Sequence, residues 1–95
     1  MSVTKSIVST SHGAAYLKRL CRHFSHKLDV SLNDKDGMIH FPFGDCAIEV
    51  TDAEMDIRID VPDPAELDRA EHVVESHLLR MANKDEPVVN WTRES

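Results

Sequence analysis

The chain has 95 residues, 41% of them hydrophobic, and its formal net charge is -6 at pH 7. This length suits one hydrophobic core, so we expect residues 1–95 to form a single domain. The acidic balance argues against a general nucleic-acid or anionic-membrane surface, because both require a continuous basic footprint. The chain has no run of about 18 apolar residues and no apolar segment typical of a secretory signal, so the sequence predicts a cytoplasmic protein without a membrane partner.

Hydrophobic patterning predicts the element order β-α-β-β-β-β-α. A weakly alternating segment predicts a first strand at residues 3–9, and a helix is expected over residues 11–26, with Ser11 as its amino-terminal cap. The apolar stripe of this helix is Leu17, Leu20, Cys21, Phe24 and Leu28. Two short strands follow at residues 28–32 and 38–43, separated by the turn-forming sequence NDKDG.

The next reversal is expected to be a two-residue hairpin formed by Gly44 and Asp45. The predicted cross-strand neighbours are Phe43 with Cys46, Phe41 with Ile48, and Ile39 with Val50. This register places every apolar residue on one side of the sheet. On the other side it sets His40 opposite Glu49, as a surface pair of opposite charge whenever the imidazole is protonated.

The last clear strand and the second helix have stronger signals. Residues 55–61 alternate cleanly, and the inward side chains are Met55, Ile57, Ile59 and Val61. Asp63 is the expected cap of the second helix, with Pro64 at its first position and Glu66 three residues beyond the cap. The stripe of this helix is Leu67, Ala70, Val74, Leu78 and Met81. Residues 88–91 predict a short edge strand or a tail that packs back on the domain.

These elements predict an α+β fold in which two helices pack on one face of an antiparallel sheet, as in the TATA-binding-protein-like class. The open face is expected to be acidic and to display Asp29, Glu49, Asp56 and Asp60. A saddle that grips DNA would carry basic or apolar side chains on this face. The likeness in fold therefore does not extend to nucleic-acid binding.

The first helix is basic in an otherwise acidic chain. Residues 1–28 carry a net charge of +5, whereas residues 29–95 carry -11. One flank of the helix predicts a basic and aromatic surface that binds an anionic small molecule or an acidic partner. Its expected members are Tyr16, Arg19, Arg22, His23, His26 and Lys27. The structural alternative is that the residues of the last turn only stabilise the helix dipole, at about 0.3–1 kcal/mol each.

A transition-metal site is the second functional alternative, either as a metal-binding protein or as a metal-dependent enzyme. His23 and His26 lie on one flank at i,i+3 spacing, whereas Cys21 turns toward the core. A closed site needs two further ligands, for which the candidates are His77, Cys46 or a carboxylate brought in by tertiary packing. The structural alternative makes His77 a core histidine that bonds a backbone carbonyl or Tyr16, and makes Cys46 a packing residue.

No stretch matches a catalytic, phosphate-binding or dinucleotide-binding motif, so the sequence favours a binding or accessory protein over an enzyme. Two cysteines without a CxxC spacing are expected to be reduced and buried. A homodimer formed through an edge strand or the 88–91 segment is compatible with either functional alternative.

The chain resembles a small bacterial domain-of-unknown-function family, number twenty-two eighteen, in the stretches AAYLKRLCRHFSHKLDV, GMIHFPFGDCAIEV and VVESHLLRMANKDEPVVNW. The residues that carry the resemblance are Tyr16, Leu17, His23, His26, Lys27, Phe41, Pro42, Gly44, His77, Leu78 and Trp91. The family brings no established activity. Similar domains are appended to siderophore-interacting flavin reductases. The resemblance therefore implies a link to siderophore and iron metabolism, with a ferric siderophore as ligand or a reductase as partner.

Overall fold

A computed structural model describes residues 2–94 as a six-stranded antiparallel sheet with two helices on one face. The elements in chain order are β1 (Ser2–Ser9), α1 (Gly13–Phe24), β2 (Asp29–Leu32), β3 (Asp36–Phe41), β4 (Gly44–Val50), β5 (Glu54–Val61), α2 (Leu67–Met81) and β6 (Thr92–Glu94). The strands lie side by side in the order β2-β3-β4-β5-β1-β6. The predicted α+β class is therefore confirmed, and the five predicted strands and two predicted helices are present.

Of the two alternatives expected for residues 88–91, the structure shows the tail that packs back on the domain, and the edge strand lies further along the chain. Val89 and Trp91 pack against the core as parts of a tail, and the Trp91 indole N–H donates a hydrogen bond to Glu75 Oε1 at 2.8 Å. The strand, β6, starts only at Thr92 and pairs with β1 at the edge of the sheet. Val89 and Trp91 are therefore used for packing against the core rather than for strand pairing, whereas Val88 is exposed.

The turn between β3 and β4 differs from the prediction. It is formed by Pro42 and Phe43, and Gly44 is already the first residue of β4. Ile39 consequently lies opposite Cys46 instead of Val50, so the predicted register is wrong by four residues. Proline has no N–H to contribute to a strand ladder, which favours its place in the turn. An even shift keeps every side chain on its predicted face.

The shifted register also changes the partner of His40. His40 lies opposite Asp45, and its Nδ1 atom is 2.7 Å from Asp45 Oδ1. The predicted pair of His40 with Glu49 is therefore wrong. Both members of the observed pair are about half exposed, with 48% and 56% of their side-chain surfaces accessible. At such exposure the pair contributes about 0–1 kcal/mol to stability.

The core lies between the two helices and the inner face of the sheet. The four predicted inward residues of β5 are fully buried, which confirms its alternation. Four of the five predicted stripe residues of α2 are also buried, and Met81 is half-buried at the edge of the core. Cys21 and Cys46 are free thiols in the core, as the sequence predicted.

The two helices begin in different ways. α1 starts at Gly13, and His12 takes the cap position without a side-chain hydrogen bond, so the prediction of Ser11 as cap is wrong. A Cβ atom at Gly13 would lie 2.9 Å from Met55 Cγ, and this contact with the sheet is not encoded in the local helical pattern. Asp63 caps as predicted, since its Oδ1 accepts from the Ala65 N–H at 3.0 Å. It caps a 3-10 turn that leads into α2.

The outer face of the sheet carries the predicted acidic residues. Asp29, Glu49 and Asp56 are exposed, and Asp60 is half-buried beside Arg58, whose Nε lies 3.3 Å from Asp60 Oδ2. Among residues 2–94, no helix combines the length and the apolar character that crossing a bilayer requires.

Candidate functional site

The end of α1, the β3–β4 turn and the first turns of α2 enclose a cleft of about 490 Å3. Small-molecule sites have volumes of about 300–1,000 Å3. The lining residues come from three segments that are distant in sequence: His23, Phe24, His26, Lys27, Leu28, Phe41, Pro42, Phe43, Arg69 and Val73. The fold therefore places the end of the basic helix beside a wall of apolar side chains.

The chain continues to turn after the end of α1, and this turn lines the cleft. The last helical residue, Phe24, turns its ring toward the core, whereas His23 lies at the surface. Beyond it, the N–H groups of Lys27 and Leu28 both donate to the Phe24 carbonyl, at 3.1 and 2.9 Å. These bonds continue the turn past the end of the helix, and they bring His26 and Lys27 to the rim.

One wall of the cleft is aromatic. Phe24 and Phe41 meet edge to face with 4.9 Å between ring centroids, and Phe41 and Phe43 stack at 4.7 Å with only 10° between their planes. The His77 ring is 4.9 Å from that of Phe24 and 5.2 Å from that of His23. The chain contains three phenylalanines, and all three line this cleft. Aromatic side chains are therefore concentrated at one surface site.

The rim of the cleft is basic. It carries His23, His26 and Lys27 on one side and Arg69 of α2 on the other. None of the described residues that line the cleft is Asp or Glu, although the whole chain has seventeen of them. Glu66 approaches Arg69 from outside the cleft at 3.6 Å, and both partners are substantially exposed. The site thus presents positive groups around an apolar floor in a chain that is acidic overall.

Three of the six residues predicted for the basic surface line this cleft, namely His23, His26 and Lys27. Arg19 and Arg22 are exposed, as expected for that flank, but they do not line it. Arg19 Nη1 instead lies 3.4 Å from the Met81 carbonyl oxygen. The outward projection of His23 and His26, on which the predicted surface depends, is confirmed.

Tyr16 does not belong to the surface, and its predicted exposure is wrong, because its side chain is fully buried. Its hydroxyl donates to the Asp85 carboxylate and accepts from the N–H groups of Lys84 and Asp85, at 3.2 and 3.1 Å. The Thr10 hydroxyl donates to the same carboxylate at 2.7 Å. Burial and the bond to Asp85 raise the pKa of Tyr16, and the hydrogen bonds from Tyr16 and Thr10 lower the pKa of Asp85. Tyr16 therefore anchors the tail to α1.

The residues proposed for a metal site are not brought together as a set. His77 uses Nδ1–H to donate to the Val73 carbonyl at 2.6 Å, as the structural alternative predicted. Cys46 is completely buried, and burial raises the pKa of its thiol to about 12, so the thiolate that binds metals is disfavoured. Among residues 2–94, no three His, Cys, Asp or Glu side chains are placed to hold one ion. The part of the chain that the structure describes therefore does not bring His23, His26 and His77, with or without Cys46, together around one point.

The sequence reasoning missed the second half of the cleft. Phe24 and Phe41 were assigned to the core alone, and Arg69 was not considered because nothing in its local pattern distinguishes it from other exposed helical cations. One signal was available, since two of the three phenylalanines of the chain flank Pro42 at the end of β3 and in the turn that follows. Turns are usually formed by small or polar residues, so two large aromatic side chains at a turn indicate an apolar surface that can bind a ligand or partner.

Comparisons with known proteins identify the family and the fold. Residues 5–92 match the family described as "Uncharacterized protein conserved in bacteria (DUF2218)". The chain is similar to PA4090 from Pseudomonas aeruginosa, whose structure was determined by NMR, with 33% sequence identity and a TM-score of 0.80. The similarity covers 97% of this chain and 96% of that one. No curated protein matches the chain. The family resemblance predicted from the sequence is confirmed.

Proposed function

We propose a binding function for this chain, which belongs to the bacterial family DUF2218 because its residues 5–92 match that family. In this proposal it is a binding protein, and the cleft at the end of α1 holds a small anionic organic molecule. The observation that carries the proposal is the placement of Lys27, just beyond α1, and Arg69 of α2 around an apolar cleft that no acidic residue lines, within residues 2–94.

The charge arrangement favours an anion for a physical reason. Low-dielectric walls strengthen the field of charges at the mouth of a cleft and raise the local concentration of ligands of opposite sign. Lys27 follows α1 and Arg69 belongs to α2, so a ligand between them would meet positive charge from both sides. Stabilisation of the α1 dipole would explain cations at the end of α1, but it would not explain the presence of Arg69 of α2 at the same cleft.

The apolar floor explains why the proposed ligand is organic rather than a simple inorganic anion. Leu28, Phe41 and Val73 line the same cleft as the cationic groups. Burying about 100 Å2 of ligand apolar surface against such side chains is worth about 2.5 kcal/mol before the costs of association. A phosphate or sulfate ion would gain nothing from this floor. We assign no catalytic step to the site.

Ferric siderophores are the first natural ligands to test, because of the resemblance to domains found with siderophore-interacting flavin reductases. Many are anionic, and their organic parts offer apolar surface. A reductase that presents an acidic surface is the corresponding partner protein. If the chain bound such a partner and no small anion, the cleft would be a docking site for a protein and the proposed ligand would be wrong.

The test is calorimetric titration of organic anions, including ferric siderophores, against the wild-type protein and two matched variants. Lys27→Gln removes a charge from the rim, whereas Lys18→Gln removes an exposed charge of α1 that does not line the cleft. Loss of one exposed charge contact of about 0.2–1 kcal/mol corresponds to affinity weakened about 1.5- to fivefold in Lys27→Gln. Equal affinity in the two variants would contradict the proposal.

The double variant His23→Ala, His26→Ala gives a second readout. It removes two rim side chains that are exposed, so the fold should be retained. We expect weaker binding of the same anions. Unchanged affinity would exclude the end of α1 from the binding site.

A further inference from the structure

We infer that the ligand is a planar aromatic carboxylate whose ring lies against the phenylalanine wall and whose carboxylate binds Arg69. This inference rests on the proposed function and adds to it the chemical class of the ligand. It also assigns a specificity role to Arg69 and Phe24, on which the sequence analysis placed no binding role.

The arrangement of the wall favours a ring over an aliphatic chain. Successive ring centroids from Phe43 through Phe41 and Phe24 to His77 are 4.7, 4.9 and 4.9 Å apart. Aromatic rings prefer offset-stacked and edge-to-face neighbours at about 4.5–7 Å. A ligand ring that enters the cleft can contact the phenylalanine rings that line it in the same geometries, and it gains about two- to tenfold in affinity over a saturated ring that buries the same area.

The position of Arg69 favours a carboxylate. Its Cζ atom lies 5.4 Å from the centroid of the Phe43 ring and above that ring, so the guanidinium is already held at the aromatic wall. A guanidinium can lie against an aromatic face and still direct paired N–H groups to a carboxylate in its own plane. Its present acidic neighbour, Glu66, stands 3.6 Å away in an exposed i,i+3 pair, which a ligand carboxylate can displace at little cost.

The rim explains why the proposed ligand carries its charge at one end. Arg69 and Lys27 are exposed, whereas Phe41 and Phe43, which line the same cleft, are buried. An anionic group is therefore stabilised at the rim, whereas a second charge directed into the cleft would be buried among apolar side chains without a partner. This distribution matches a monoanionic aromatic acid.

The experiment compares three probes of similar size by calorimetry: 2-naphthoate, decahydro-2-naphthoate and 2-naphthamide. We expect 2-naphthoate to bind more tightly than the saturated acid by about two- to tenfold, and more tightly than the neutral amide. Equal binding of the two acids would overturn the aromatic inference and leave the proposed anion-binding function standing. Equal binding of naphthoate and naphthamide would overturn both.

Two variants locate the two interactions. Phe24→Leu should remove the preference for the aromatic acid, because the half-buried ring is replaced by an aliphatic group of similar reach. Arg69→Lys keeps the charge but loses the planar guanidinium, so it should weaken naphthoate binding more than the control Arg80→Lys, which alters an exposed cation of the same helix outside the cleft. Equal affinities in the Arg69 and Arg80 variants would contradict the assigned role of Arg69.

A measurement on the wild-type protein does not depend on whether the variants fold. Intermolecular nuclear Overhauser effects should connect the naphthoate ring protons with Phe41 and Val73 of the wild-type protein. Their appearance only on other residues would overturn the inference. Absence of any naphthoate binding would also overturn it, and the other anions and ferric siderophores would then decide the proposed function alone.

Discussion

Substitution of Gly44 by alanine tests the geometry that sets the β3–β4 turn and one wall of the cleft. Gly44 has a φ of +154°, which side-chain-bearing residues rarely adopt, and a Cβ atom there would lie 2.2 Å from the Asp60 carbonyl oxygen. Close carbon–oxygen contacts in sheets span about 3.3–3.6 Å, so β4 and β5 would have to separate by about 1 Å at this point. The same Cβ atom would also lie 3.0 Å from Val61 Cα, so it cannot relieve the contact with Asp60 by moving toward Val61.

The expected loss of stability follows from these contacts. The strained backbone costs about 1–3 kcal/mol, and weakening one or two ladder hydrogen bonds adds about 1–2 kcal/mol. The total of about 2–5 kcal/mol is a large part of the roughly 5–14 kcal/mol expected for a domain of this length. Because Gly44 follows Pro42 and Phe43, movement of the strand should also weaken binding of 2-naphthoate.

Urea denaturation followed by circular dichroism measures this loss directly. The matched control is Asp45→Ala at the next position, which removes only the exposed pair with His40 and should cost about 0–1 kcal/mol. A Gly44→Ala protein as stable as the Asp45→Ala protein would refute the close approach of β4 to β5 on which the reasoning depends.

Three further predictions concern the core and the tail. Because burial raises the pKa of both thiols, to about 12 for Cys46, alkylation of Cys21 and Cys46 at pH 8 should be much slower in the native protein than in urea; equal rates would contradict their burial. Hydrogen bonds lower the pKa of Asp85, so its stabilising contribution is present at neutral pH and is lost as the pH falls below about 4. Asp85→Asn should therefore be less stable than the wild type at pH 7, with a smaller difference at pH 3 in urea titrations; a constant difference would exclude this linkage. Arg93 donates to Glu71 through Nε and Nη2 at 3.0 and 2.9 Å, and Arg93→Gln should speed amide hydrogen exchange in β6, whereas unchanged exchange would show that the strand is held by β1 alone.

Elements with a long and regular pattern were predicted correctly from the sequence. The strand at residues 55–61 has four alternating apolar residues, and α2 has a strong start signal at Asp63 as well as a continuous stripe. In both cases the periodicity itself determines which side is buried. Tertiary contacts were not needed to place them.

The register of the β3–β4 hairpin could not be predicted in the same way. A shift of four residues leaves the same side chains on the same face, so hydrophobic alternation does not distinguish the two registers. The difference depends on the turn, where Pro42 and Phe43 replace the expected pair of Gly44 and Asp45. The preference for glycine in short turns misled the prediction, because this glycine serves a close strand contact instead.

The candidate site was only half predictable for a related reason. Helical geometry correctly placed His23 and His26 outside and Cys21 inside. The same geometry could not show that Asp85, 69 residues further along, binds the Tyr16 hydroxyl, or that Arg69 lines the same cleft as Lys27. Contacts between segments distant in sequence depend on the whole fold, and a helical wheel contains no information about them.

The central claim is that the cleft at the end of α1 binds organic anions. The most direct test is a titration of the uniformly 15N-labelled protein with 2-naphthoate, followed through its backbone amide shifts, with 2-naphthamide as the neutral control. We expect saturable shifts concentrated at residues 23–28, at Phe41 and Phe43, and at residues 69–73, and smaller shifts with the amide. Shifts absent from these three segments, or concentrated on the acidic outer face of the sheet, would contradict the account.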